Sequence, residues 1–283
     1  MRMLLFRINL LLLLIFLFTP ICLLAQRYYP TGVQSREKMI FGIGTTTFYG
    51  DIKGKNALEG LSPNLGLSYE YALLPHLGLR ATGNWYRLAA SDANDEDPNR
   101  RARNLSFRAS NLELSLTLAA YLFGQNARLF DERSKLNLYL LAGVGLSSYT
   151  PKANYQGTLR DLRSLETEGV RYGKTTLVIP FGAGVQYRIS SRFDIALQAT
   201  YHYSFTDYLD DVSTRYKDPA SFNNPLAAAL ADRRPELDLP PMDAGKVRGN
   251  QEVKDSYAMI RLQVHYYLLR YIYRGKEIKK LYQ

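Results

Sequence analysis

Long runs of strict two-residue alternation constrain this chain more than any other feature. From Phe193 to Phe205, one face carries Phe193, Ile195, Leu197, Ala199, Tyr201, Tyr203 and Phe205. The other carries Asp194, Ala196, Gln198, Thr200, His202 and Ser204. Leu65 to Ala72 repeats the pattern, with Leu65, Leu67, Tyr69 and Tyr71 opposite Gly66, Ser68, Glu70 and Ala72. Successive strand side chains point to opposite faces, so each run reads as a strand between an apolar and a polar medium. Eight runs are expected, at about Met39–Gly50, Pro63–Ala72, Leu77–Leu88, Ser110–Leu122, Leu136–Tyr149, Thr176–Ile189, Phe193–Phe205 and Ser256–Leu268. Most exceed the ~5–6 residues usual for soluble strands and meet the ~9–11 residues of a tilted membrane-spanning strand.

The connectors alternate in length. Leu73–His76 and Ser190–Arg192 are tight, whereas the segments after the first, third, fifth and seventh runs are long and polar, the last covering Thr206 to Asp255. The Phe123–Lys135 link is somewhat long for the short side. Short connectors at one end and long ones at the other predict an all-β fold: an eight-stranded antiparallel transmembrane β-barrel with long extracellular loops.

A soluble barrel also alternates, with its apolar face inside. The polar face decides between the two. It is built of Gly, Ser, Thr, Ala and Gln, with Gly42, Gly44, Gly66, Gly78, Gly143, Gly145, Gly182 and Gly184 prominent, while Lys38, Lys135 and Lys174 are expected only at strand ends. Small residues suit the crowded interior of a narrow barrel. The charges on this face balance, with Glu70, Glu113 and Asp194 against Arg80, Arg188 and Arg261. An Arg facing lipid near the midplane would cost roughly 2–4 kcal/mol. Inside, these groups can pair, as buried charges must, and Glu70 with Arg80 is the first pairing expected.

Aromatics follow the same scheme. The chain has 22 Tyr, 12 Phe and one Trp. Tyr49, Trp85, Tyr149, Tyr203 and Phe205 fall near the long-loop ends, and Tyr71, Tyr187, Phe193 and Tyr266 near the short-turn ends. Two headgroup-level girdles are expected from this clustering, which ordinary strand propensity does not explain.

The N-terminus supplies the address. Arg2 and Arg7 precede an almost unbroken apolar run from Ile8 to Leu24, and Ala25 offers a small residue before Gln26. That is the layout of a secretory signal peptide over residues 1–25, preferred to an uncleaved anchor because the run is short and contains Pro20. A lipoprotein reading of Cys22 lacks the small residue before it. The expected organisation is then a signal peptide (1–25), an N-terminal periplasmic segment (26–38), an outer-membrane barrel (39–268) and a basic periplasmic tail (269–283). The tail carries Arg270, Arg274, Lys276, Lys279 and Lys280 against Glu277, and is either solvated or a docking segment. An even strand number puts both termini in the periplasm.

Chemistry is thin. A single Cys excludes a disulfide framework and multi-Cys zinc. His202 with Ser204 and Asp207 could be imagined as a nucleophilic group, but hydrophilic lumen residues are expected anyway. His76 lies in a turn, and His202 and His265 sit on neighbouring strands without HxH or HExxH spacing. Asp207, Asp210 and Asp211 lack the spacing of a Ca²⁺ loop. Gly42-Ile43-Gly44 and Gly182-Ala183-Gly184 have no following helix, so phosphate-loop readings fail. The net charge of +10 resides mostly in loops and tail, and no aromatic–basic motif suggests nucleic acid. No catalytic, cofactor-binding or metal-ligating residue is therefore assigned, and no cofactor or small-molecule substrate is expected. The lipid bilayer is the expected partner. In the long loops, Leu159, Leu162 and Leu165 are expected to fold over the mouth, and Ala90–Arg103 to be solvated.

Several segments, in order, resemble one family. They are Phe48-Tyr49-Gly50-Asp51, Tyr139–Gly145, Pro151-Lys152-Ala153, Leu165–Gly169, Ile179–Val185 and, most specifically, Phe205-Thr206-Asp207-Tyr208-Leu209-Asp210-Asp211-Val212-Ser213. Over roughly Phe41 to Tyr267 the chain resembles the PorG-like outer-membrane β-barrels of Bacteroidetes. The resemblance implies a non-enzymatic accessory component of the type IX secretion system, which exports proteins and supports gliding motility. It also implies partners, the periplasmic ring proteins PorK and PorN, tied by the barrel to the outer membrane. A small porin-like or ligand-binding barrel unrelated to secretion is the alternative.

Overall fold

The computed structural model describes residues 33–52, 60–125 and 133–271. The expected signal peptide and most of the basic tail lie outside the described residues. Eight long antiparallel strands form the barrel: β1 (Val33–Tyr49), β2 (Ser62–Leu74), β3 (Leu77–Ser91), β4 (Ser106–Tyr121), β5 (Leu136–Ser148), β8 (Thr175–Arg188), β9 (Phe193–Ser204) and β10 (Ser256–Tyr271). The strand order runs β3-β2-β1-β10-β9-β8-β5-β4, and β3 pairs with β4 to close the sheet. The seam between β1 and β10 runs from Val33↔Tyr271 at the short-turn end to Tyr49↔Ser256 at the long-loop end. A closed sheet leaves no edge unpaired in a medium that cannot hydrogen-bond.

The eight runs expected from alternation are all present, with ends that differ by a few residues. β1 begins at Val33 and β10 continues to Tyr271, each further toward the short-turn end than the apolar pattern reaches. This corrects the placement of Lys38. It is an interior residue of β1, 3% exposed, and not a strand end. The polar stretch Val33–Glu37 hides the start of β1, because hydrogen-bonded register, not apolar alternation, extends it.

The orientation of the faces is plain in β2, where Ser62, Asn64, Gly66, Ser68 and Glu70 are buried and Pro63, Leu65, Leu67, Tyr69 and Tyr71 are exposed. The same outward row on β4 is Leu112, Leu114, Leu116 and Leu118, with Leu114 at 72% exposure. A belt of this extent has no place in water and matches the lipid-facing band of an outer-membrane-type barrel.

At the long-loop end the strands outrun the belt and the loops fold onto them. A hairpin of β6 (Lys152–Tyr155) and β7 (Thr158–Asp161) extends the sheet from β4 through the pair Arg108↔Lys152. Its turn, Gln156-Gly157, has φ of 50° and 78°, the two left-handed positions of a tight hairpin. Two short helices follow the Pro signals: α1 (Pro98–Arg103), capped by Asp97, and α2 (Pro225–Ala231), capped by Asn224. Phe48, Leu88, Phe107, Tyr149, Leu162, Leu209, Val212 and Leu230 form the core of this cap.

Candidate functional site

Two parts of the molecule hold concentrated polar chemistry: the lumen and the cap above it. In the lumen, Glu70 and Arg80 are register partners on β2 and β3. Arg80 Nε donates to Glu70 Oε2 at 2.7 Å, Lys38 Nζ lies 3.0 Å from Glu70 Oε1, and the Tyr121 hydroxyl donates to the same carboxylate at 2.7 Å. Arg80 also reaches Gln198 at 2.8 Å, whose Oε1 receives the Tyr139 hydroxyl at 3.0 Å. Toward the short turns, Asp194 accepts from Arg133 at 3.0 Å and Tyr267 at 2.9 Å. Toward the loops, Arg261 donates to Asn64 and Asn84 at 2.6 and 2.8 Å, and Glu113 accepts from Tyr257 at 2.5 Å.

The three expected carboxylates are all buried in the interior, but the set of cations facing them differs from the expected one. Arg133, from the segment preceding β5, and Lys38 join the interior, whereas Arg188 is only half-buried although it stands in register with Asp194. Five tyrosines, Tyr86, Tyr121, Tyr139, Tyr257 and Tyr267, fill the lumen, so the girdles account for only part of the Tyr excess. Tyr149 is a correction to the outer girdle. It is 3% exposed, packed in the cap core, because the chain turns inward after β5. Tyr49, Tyr203, Phe205, Tyr71 and Tyr187 do face outward.

The group imagined around His202 does not assemble. Ser204 Oγ donates to the carbonyls of Thr206 and Asp255 at 3.0 and 2.8 Å, and Asp207 accepts from Ser213 at 2.7 Å. His202 instead lies between Thr200 Oγ1 at 3.0 Å and Glu113 Oε2 at 3.0 Å, stacked on Tyr257. The hydroxyl–imidazole–carboxylate order suits a proton relay by distance, but Nδ1 and the Glu113 carboxylate do not meet with hydrogen-bond geometry. Space is lacking as well. The adjoining cavity, lined by Thr117, Gln198, Thr200, His202 and Arg261 among others, offers ≈ 20 Å³ to the centre of a water molecule. That is room for about one or two waters, not for a substrate. His265 is eight residues along β10 from the partner of His202, so the two imidazoles do not meet (His202↔Tyr257, His265↔Asp194). His76 stays in its turn, 3.1 Å from the Tyr121 carbonyl. Among the described residues no group of three or more His, Cys, Asp and Glu is placed to hold a metal ion.

The cap is organised by the segment Phe205–Ser213. Asp207, Asp210 and Asp211 are buried. Asp210 accepts the Ile52 and Val212 amides at 3.1 and 2.9 Å. Asp211, at φ 69°, accepts from Thr167 and Tyr172, both at 2.5 Å. Arg248 bridges Glu168 at 2.8 Å and the Asp211 carbonyl at 2.6 Å, and Asp255 accepts the Leu209 amide at 2.8 Å. Burial pushes the Asp211 carboxyl up to about 6, against the pull of Arg248. Burial likewise raises Asp207 to about 6. Asp210 and Asp255 rise well above the ordinary carboxylate range through burial and the neighbouring carboxylates, Asp51 foremost for Asp210 and Asp210 for Asp255. The segment is therefore a staple that joins the loop after β1, the loop after β5 and the long loop before β10. The Ala90–Arg103 segment is tied down as well, since Arg103 reaches Asp92 at 2.7 Å and the Asp51 carbonyl at 2.8 Å.

A family model described as a domain of unknown function (DUF6089) matches residues 13–224. No curated protein matches the sequence. Among solved structures, Neisserial surface protein A is similar at 10% identity, with 83% of this chain and 99% of that chain covered and a TM-score of 0.42. The attachment invasion locus protein Ail of Yersinia pestis is similar at 14% identity, with 84% and 100% covered and a TM-score of 0.37. The outer membrane protein OprG of Pseudomonas aeruginosa is similar at 12% identity, with 85% and 97% covered and a TM-score of 0.38.

Proposed function

The chain belongs to the DUF6089 family, and we propose that it is a non-enzymatic outer-membrane scaffold, an accessory component of the type IX protein secretion system that links its periplasmic ring to the outer membrane. The observation that carries the scaffold reading is the filled lumen. Side chains cross-linked by hydrogen bonds occupy the interior from Asp194 to Glu113, and the cap closes the long-loop mouth. A narrow barrel packed in this way is a plug in the membrane, not a conduit. The assignment to type IX secretion rests on the resemblance of the Thr206–Ser213 segment and the segments around it to the PorG-like barrels.

In this reading a signal peptide ending near Ala25 exports the chain. Both termini lie in the periplasm, where ring proteins of the PorK and PorN kind engage the short-turn end and the basic tail. Crosslinking in native membranes followed by affinity purification tests the assignment. Recovery of a periplasmic ring supports it, and recovery of no secretion-ring protein removes it. The porin-like alternative predicts large, steady conductance in planar bilayers, where the plug predicts silence.

A further inference from the structure

At the long-loop rim the outward face of β4 changes character within two residues. The ladder Leu118, Leu116, Leu114, Leu112 ends, and Ser110 and Arg108 follow on the same face. Register sets Arg87 of β3 opposite Ser110, and Lys152 of β6 opposite Arg108. All three cations are exposed. Residues directly opposed on antiparallel strands share a face with Cβ atoms roughly 5 Å apart, and like charges so placed repel. No ion pair among the described residues involves any of the three. The carboxylate in register with Lys152, Asp161, accepts the Arg163 amide at 3.1 Å.

Directly below Arg87 on the same face stands Trp85. Its indole Nε1 donates to Ser110 Oγ at 3.0 Å, and the Arg87 guanidinium lies 5.2 Å from its ring centre. Elsewhere around the rim, the outward rows of β1 and β9 end in Tyr49, Tyr203 and Phe205 instead. Arg87, Arg108 and Lys152 thus share one sector, at the level where hydrocarbon gives way to headgroups.

We propose that Arg87, Arg108 and Lys152 form a binding site for the phosphate of a phosphorylated glycolipid in the outer leaflet, with Trp85 and Leu112 against its apolar part. A phosphate relieves the repulsion between the opposed cations and receives charge-assisted bonds from two guanidinium groups. The apolar floor selects a lipid over free phosphate. The inference rests on the outer-membrane part of the proposed function, with the long-loop rim in the outer leaflet, and is independent of any secretion partner, so ring recovery and lipid binding fail separately.

Trp85 is the only tryptophan of the chain and reports on the site directly. Full-length protein in non-ionic detergent is titrated with lipid A, with the same lipid after removal of its phosphates, and with inorganic phosphate. The expected result is a saturable change in Trp85 emission with lipid A, at least tenfold weaker binding of the dephosphorylated lipid, and no saturation by inorganic phosphate over the same range. The combined variant Arg87→Gln, Arg108→Gln, Lys152→Gln should bind lipid A at least tenfold more weakly, while Lys246→Gln on the cap surface should not differ from wild type. Equal binding of the two lipids, unchanged binding by the triple variant, or saturation by inorganic phosphate alone overturns the proposal. Should the triple variant not fold, the wild-type comparison of the two lipids decides.

Discussion

Glu70 and Arg80 face each other across β2 and β3 at opposed register positions, 2.7 Å apart between Oε2 and Nε and both sealed from solvent. Removing one partner of a buried pair strands the other charge, at a cost of about 3–5 kcal/mol. Arg80→Leu and Glu70→Leu should each destabilise the barrel by that order. The double variant should lose less than the sum of the two, as measured by urea unfolding in vesicles. Strict additivity would mean that Lys38 and Tyr121, which also touch Glu70, carry the network without Arg80.

Depth in the lipid should grade the outward face. Leu114, in the middle of the β4 ladder, faces outward at 72% exposure, whereas Ser110 stands at its rim. Leu114→Arg should cost about 2–4 kcal/mol and Ser110→Arg about 0–1 kcal/mol in folding into vesicles. Equal costs at the two positions would contradict a hydrocarbon belt centred on Leu114.

Gly184 lies against the Tyr139 ring, where a Cβ would overlap it. Tyr139 holds Gln198 and Gln263 at 3.0 and 3.2 Å. Gly184→Val should force the ring from this position and destabilise by about 1–3 kcal/mol. Restored stability on adding Tyr139→Ala would identify the overlap as the cause.

The cap should loosen as pH rises. Asp207 and Asp211 titrate near 6 in the folded cap, above the usual carboxylate value, and burial is the first cause in both. The folded cap therefore holds more protons than the opened one between about pH 4 and 6, so its stability is greatest below that window and is lost as pH climbs through it. Hydrogen exchange of residues 206–255 should show more frequent opening at pH 7.5 than at pH 4.5, and Asp211→Asn should flatten the dependence. Protection that grows with pH would reverse the assigned direction.

What sequence could and could not disclose follows from the medium each residue meets. Alternation such as Leu65–Ala72 is written by the contrast between hydrocarbon and lumen, and it disclosed the strands, the faces and the Glu70–Arg80 pair. Outside the belt that contrast vanishes. Lys38 was hidden because the start of β1 is polar on both faces, and Arg133 because it precedes β5. The hairpin Lys152–Asp161 is too short for a pattern, although Gln156-Gly157 is a turn signal that marks it. The acids of the Thr206–Ser213 segment carry no spacing that separates a solvated cluster from a buried staple. Only their partners Ile52, Thr167 and Tyr172, distant in the chain, make that distinction.

The pairing of β1 with β10 has a consequence for biogenesis. Every other barrel seam joins strands close in sequence order, but this one waits for the final strand to be synthesised and brought alongside the first. In lipid, the two backbone edges would be left without partners until then. Deletion of either terminal strand therefore leaves an open sheet, and closure is a late event that couples insertion to the arrival of the last strand.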